Sequence, residues 1–99
     1  MKTIKWYVES IEEELESAKQ YAEKYVELKA NDDIHSANIY KEMATDELKH
    51  ASYEHEFAIK EIHKISNVYT APSDMQEKWE KSHKEYVEKS AWIRQMLSM

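Results

Sequence analysis

Apolar residues recur every three or four positions along almost the whole chain, which is the spacing of one face of an α-helix. The pattern covers three stretches, at about residues 3–30, 33–67 and 74–98. The first two stretches are separated by Asn31-Asp32-Asp33, whose residues favour turns and helix caps. The last two are separated by Val68 to Pro72. Short links between long helices favour antiparallel neighbours. The sequence therefore predicts one all-α domain over residues 1–99, folded as an antiparallel three-helix bundle.

The composition supports a helical fold and limits the kinds of partner and the cellular location that are expected. The 99 residues include no glycine, no cysteine and one proline, so sheets with tight turns, disulfides and thiolate ligands are not expected. The net charge of −6 disfavours direct contact with nucleic acid, whose phosphates require lysine and arginine. No apolar run reaches membrane-spanning length, and the amino terminus lacks the apolar region of a signal peptide. We therefore expect a cytoplasmic protein that does not contact the membrane.

Acidic side chains fall on the helix faces that should be buried. Glu47 lies near the centre of the apolar arc of the second helix, and His50 follows three residues later on the same face. On the first helix, Glu14 alone among many glutamates falls inside the arc. Charged groups rarely enter a core unless they are paired or bind metal. The candidate metal ligands are Glu14, Glu47, His50, Glu54, Glu80 and His83.

Iron or manganese is the cofactor that this set of side chains favours. Carboxylate oxygens with a minority of imidazole nitrogens suit these metals. Helical bundles build dimetal sites from glutamates on some helices and Glu-x-x-His pairs on others. We expect Glu14, Glu47 and His50 to be mostly buried. The remaining histidines fall at the edges of the arcs or outside them and are expected at the surface, namely His35, His55 and His63.

One set of residues resembles a known family. Glu14 is followed by Ala18 and Tyr21, and later comes the segment Tyr40-x-x-Met43-Ala44-Thr45-Asp46-Glu47-Leu48-Lys49-His50-Ala51. This arrangement resembles the first half of the ferritin-like, rubrerythrin-type di-iron bundles, over roughly residues 10 to 60. The resemblance implies that Glu14, Glu47 and His50 are metal ligands, with Glu80 and His83 as a second Glu-x-x-His pair. It also implies an oxidase, or a protein that handles iron or peroxide.

The chain departs from that family in its number of helices. A ferritin-like bundle has four helices and a further glutamate between its two pairs, whereas this chain has room for three. A complete dimetal site would therefore require a second chain, or Glu54 as a substitute ligand. Trp6 and Trp92 point away from their apolar stripes, which indicates a surface covered by a partner. We therefore expect a homodimer or larger homo-oligomer.

Two other interpretations fit the same residues. Glu47 and His50 would need no metal if they hydrogen-bond each other and Tyr21 or Tyr86 in a polar core layer. Alternatively, the chain is a non-enzymatic interaction module that binds another protein without metal, as an inhibitor or nucleic-acid mimic would. The acidic surface of such a module would consist of the outward glutamates Glu9, Glu12, Glu13, Glu16, Glu23 and Glu27.

Overall fold

Three α-helices make up the computed structural model, which describes residues 2–66 and 73–99, with side chains over 4–64 and 74–99. Helix α1 spans Lys2–Ala30, α2 spans Ile34–Ser66 and α3 spans Ser73–Leu97, and no strand occurs in these ranges. The predicted all-α bundle is confirmed, and the predicted limits of the helices agree closely with the observed ones. The break predicted at Val68 to Pro72 lies outside the described residues.

The turn between α1 and α2 reverses the chain without a glycine. At the end of α1, the Asp33 N–H donates to the Leu28 carbonyl at 2.9 Å and the Asp32 N–H donates to the Lys29 carbonyl at 3.1 Å. These two hydrogen bonds form a Schellman motif. The motif requires one residue in the left-handed helical conformation, and that residue is usually glycine. Asp32 occupies that position with a φ of 61°. Asp33 then caps α2, because its Oδ1 accepts the Ser36 N–H at 3.2 Å.

Small residues allow α1 and α2 to pack closely. Six alanines are buried, namely Ala18 and Ala22 on α1 and Ala37, Ala44, Ala51 and Ala58 on α2. Ile11 and Leu15 of α1 and Leu48 of α2 fill the space between these alanines as parts of the same apolar core. At the alanine positions the two helices approach closely, because a methyl group takes little space between them.

Contacts at both ends of the molecule fix the direction of each helix. The Tyr7 ring of α1 lies 6.4 Å from the Phe57 ring of α2, so α2 runs antiparallel to α1. Near the other end, Lys29 donates to the backbone oxygen of Met99, which follows α3. Ile4 and Trp79 line one cleft at the opposite end, so α3 runs parallel to α1. The result is a rod of 55 × 17 × 17 Å. Within the described ranges, none of the helices combines the length and apolar character needed to span a membrane.

The α1–α2 pair is uncovered along the side that faces away from α3. On α1 this side carries half-buried residues spaced alternately three and four apart, namely Tyr7, Ser10, Glu14, Ser17, Tyr21, Lys24 and Leu28. On α2 it carries a row with the same spacing, namely Tyr40, Met43, Glu47, His50, Glu54 and Phe57. We call these two rows the open face. The spacing is that of a coiled-coil seam, which normally receives another helix. Phe57 is accordingly 49% exposed, although it is a large apolar side chain.

The turn between α1 and α2 can be tested with paired substitutions. Asp33→Ala should lower the free energy of unfolding by about 1 kcal/mol, because it removes the cap of α2. Asp32→Gly should raise it by roughly 0.5–1 kcal/mol, because glycine adopts the left-handed conformation without a steric cost. Asp46→Ala, which removes an exposed carboxylate from the middle of α2, is the control. Urea titration measures all three variants, and an Asp33→Ala variant as stable as the control would contradict this assignment of the cap.

Candidate functional site

Three glutamates from the two rows of the open face converge between α1 and α2. The Glu54 carboxyl lies within hydrogen-bonding reach of Glu14, and the charge of Glu47 also acts on Glu14. Glu47 and Glu54 lie seven residues apart, so they project from the same side of α2 two turns apart. Glu14 projects from α1 towards both. Of the six candidate ligands named from the sequence, the structure brings these three glutamates near one another.

The environment of Glu14 strongly favours its neutral form. The pKa of Glu14 is raised to about 8, first by burial and then by the contact with Glu54 and the negative charges of Glu54, Glu47 and Glu13. One oxygen of Glu14 and one of Glu54, Oε2 in each case, is buried without a hydrogen-bond partner. Two ionised carboxylates only accept hydrogen bonds, so they cannot satisfy each other. A proton on Glu14 supplies one donor, and a bound cation would satisfy the same oxygens.

His50 lies at the rim of this cluster and not in the core. Its Nδ1 is 3.7 Å from Glu47 Oε1, and its side chain is 57% exposed whereas that of Glu47 is 26% exposed. The expectation that Glu14 and Glu47 lie largely inside is supported, because both are partly buried. The expectation that His50 is buried was wrong. The reason is that His50 lies on the open face, which no helix of this chain covers.

The second Glu-x-x-His pair lies elsewhere. His83 Nδ1 is 2.8 Å from His55 Nε2, so its ring contacts another histidine and not the glutamate cluster. Glu80 is exposed. His55 was expected at the surface, but it is half-buried and stacks on Tyr86 with ring centroids 4.5 Å apart. Its spacing of seven residues from Leu48, a core residue, was the signal in the sequence that indicated a position facing another helix.

The described residues of one copy form no metal-binding group. Within residues 4–64 and 74–99, no three or more His, Asp or Glu side chains come together in an arrangement that could hold a metal ion. Glu14, Glu47 and Glu54 are close enough to interact electrostatically, but they do not enclose a common point. The site is therefore a cluster of partly buried acids on an open surface.

The chain matches no family model, no curated protein and no solved structure. The function must therefore be inferred from the side chains themselves.

Replacement of Glu14 tests this electrostatic description. Because the pKa of Glu14 is raised from 4.5 to about 8, its contribution to stability is complete below pH 4.5 and is lost as the pH rises towards 8. Glu14→Gln should therefore stabilise the metal-free protein at pH 8 by roughly 1 kcal/mol, or about 4–8 °C in Tm. It should also reduce the loss of stability between pH 5 and 8.

Glu12→Gln is the matched control, because Glu12 is an exposed glutamate on the same helix. Thermal melts at several pH values in the presence of a chelator provide the measurement. If Glu14→Gln lowers the Tm at pH 8 and leaves the pH dependence of stability unchanged, the pKa of Glu14 is not raised in the folded protein.

Proposed function

We propose that this chain is a small ferritin-like, metal-binding protein of the cytoplasm. In this proposal, Glu14, Glu47 and Glu54 are carboxylate ligands of iron or manganese, and His50 is a nitrogen ligand at the rim. The observation that carries the proposal is the pair of buried, unpartnered carboxylate oxygens on Glu14 and Glu54. Buried acids without partners destabilise a fold. A cation in the space between them would remove that cost.

The chemistry of the ligands supports iron or manganese. The donors are mainly carboxylate oxygens, with one imidazole and no thiolate, a set that suits these metals better than zinc or copper(I). A divalent cation would offset the repulsion that raises the pKa of Glu14. Bound iron or manganese would supply the ability to activate dioxygen or peroxide. The role of the protein is to hold the ligands rigidly on two helices and to limit the access of water.

A second copy of the chain is part of the proposal. The described residues of one copy form no metal-binding group, and the open face carries the candidate ligands beside exposed apolar side chains such as Met43 and Phe57. The accessible surface is 6735 Å², compared with roughly 6,000 Å² for a compact monomer of this mass. The elongated shape of 55 × 17 × 17 Å accounts for this excess, and it leaves a long side on which a partner could bury the ~800 Å² typical of one side of an interface. A two-fold dimer through the open face would bring two Glu14–Glu47–Glu54 clusters together.

The alternative is an acidic interaction module that works without metal. The six outward glutamates of α1 are exposed, as such a surface requires. Three of them, however, pair with lysines on the same helix, namely Glu9 with Lys5, Glu23 with Lys19 and Glu27 with Lys24. This pairing partly neutralises the surface, so it favours ordinary solvation over recognition of a basic partner.

Metal linkage tests the proposed ligands. Mn(II) in air, or Fe(II) without oxygen, should raise the Tm of chelator-treated protein, because binding to the folded state contributes about 2.7 kcal/mol at one hundred times the Kd. For a domain of this size that corresponds to an increase of roughly 10 °C or more. Glu47→Gln should abolish the increase, whereas Glu56→Gln, at an exposed position on the other side of α2, should retain it. An unchanged Tm with both metals, together with purified protein free of metal, would favour the interaction module.

The assembly is tested separately by light scattering. We expect the mass of a dimer, and we expect Phe57→Glu to convert it to a monomer by placing a charge on the open face. Val87→Glu is the control, because Val87 is 51% exposed but belongs to α3. A monomeric wild type at high concentration, with and without Mn(II), would rule out the dimer. Metal binding by that monomer would leave the ligand assignment intact.

A further inference from the structure

A groove of about 420 Å³ lies between α2 and α3, near the carboxyl end of α3. The buried side chains of Leu48 and Leu97 form its floor. Its other lining residues are exposed and polar or charged, namely Lys41, Thr45, Lys49, Ser52, Arg94 and Ser98. A space of this volume accommodates a small organic molecule. None of the proposed metal ligands lines the groove, so it is a separate feature of the fold.

The charged residues of the groove are all cations, in a chain whose net charge is −6. Lys41 and Lys49 project from α2, and Arg94, the only arginine of the chain, projects from α3. Within the described part of the chain, ion pairs join other basic residues to acids, but none involves these three. Lys41 instead lies over the Tyr25 ring, 5.6 Å from its centroid. The groove therefore concentrates positive charge that no carboxylate neutralises.

The sequence leaves these cations without partners on their own helices. Lysine and arginine in a helix pair with an acid that lies three or four residues away. Neither Lys41 nor Arg94 has an Asp or Glu at these distances, whereas every other lysine except Lys2 has one. Lys49 has Asp46 at this spacing, but the two form no ion pair. The lack of local acids thus coincides with the residues that line the groove.

The neutral groups near the groove leave the cations as its main hydrogen-bond donors. The hydroxyls of Thr45 and Ser98 donate to backbone carbonyls of their own segments at 2.8 and 2.6 Å, so their protons are already used. Ser52 forms no hydrogen bond with another described side chain and is a further donor. The backbone oxygen of Met99 accepts from Lys29 of α1 and is not bound by a cation of the groove.

Charge and shape together indicate the chemistry of a ligand. The guanidinium of Arg94 presents a planar pair of N–H donors that matches two oxygens of a phosphate, and lysines add point charges. A phosphate monoester carries close to two negative charges at neutral pH, which suits three unpaired cations better than the single charge of a carboxylate. The apolar floor favours an organic group attached to that phosphate.

We propose that this groove binds a soluble organic phosphate monoester. Arg94, Lys41 and Lys49 hold the phosphate, and the floor of the groove contacts the organic group. A soluble molecule fits better than a lipid with the same headgroup, because the exposed residues that line the groove are all polar and none would enter a bilayer. The proposal depends neither on the metal site nor on the dimer.

Phenyl phosphate is the probe, because it joins a phosphate monoester to a flat apolar ring. We expect it to shift amide NMR signals of α2 and α3 beside the groove, in metal-depleted full-length protein and a low-salt buffer free of phosphate and chelator. The Kd should lie below about 1 mM. Inorganic phosphate lacks the ring and benzoate lacks the second charge, so each should bind about tenfold more weakly.

Substitutions assign the binding to the groove. Arg94→Gln should raise the Kd of phenyl phosphate about tenfold, because it removes charge-assisted hydrogen bonds. Lys41→Gln tests the same prediction from α2. Lys84→Gln is the matched control, because it removes one positive charge from an exposed position of α3 that does not line the groove, and its Kd should stay within about twofold of the wild type. The amide spectrum of each free variant shows whether it is folded.

Several results would overturn the proposal. One is a set of amide signals that millimolar phenyl phosphate leaves unchanged. Another is equal weakening by Lys84→Gln and Arg94→Gln, which would reduce the effect to net charge. Inorganic phosphate or benzoate binding as tightly as phenyl phosphate would contradict the ligand class. Sedimentation with vesicles containing phosphatidic acid, lost in Arg94→Gln, would assign the groove to a lipid instead. Each of these results leaves the metal proposal intact, because no metal is present.

Discussion

The close approach of α1 and α2 along their buried alanines determines most of the other properties of this molecule. Methyl groups at Ala18, Ala44 and Ala51 leave little distance between the two helices. Glutamates beside these alanines are therefore held close enough to repel one another, and water cannot fully solvate them. The raised pKa of Glu14 and the unpartnered oxygens therefore follow from backbone packing more than from the glutamates alone. A wider separation would turn the same carboxylates into ordinary surface groups.

The sequence predicted the helices well because their signals are local. Periodic apolar residues and the Asp32–Asp33 turn depend on near neighbours in the chain, and the structure agrees with both. The phase of each residue on its own helix also put Glu14, Glu47 and Glu54 on the apolar faces, where the structure has them partly buried. Phase does not reveal which neighbouring helix, if any, covers a given side. His50 was therefore assigned to the core although its side of α2 is open, and His55 was assigned to the surface although α3 covers it.

Glu54 and His55 illustrate how one helix carries two opposing acid–base responses. Adjacent residues on α2 point to different neighbours, Glu54 to α1 and His55 to α3. The first contact costs stability as Glu14 loses its proton at rising pH, and the burial of His55 costs stability as that ring gains a proton at falling pH. In the metal-free protein these two slopes have opposite signs, so stability is greatest in the interval between them. A cation at the glutamates would extend that interval towards higher pH without affecting the histidines.

The polar residues of the open face also determine how another helix can align with it. Along α1 the row places Tyr7, Glu14 and Tyr21 one heptad apart, so a carboxylate alternates with aromatic rings. A helix displaced by one heptad, about 10.5 Å, would set its apolar contacts against a charge. Single polar residues in coiled-coil seams select one alignment at some cost in stability. If another helix covered this face, Glu14 and the other polar residues of the row would favour one register over those displaced by a heptad.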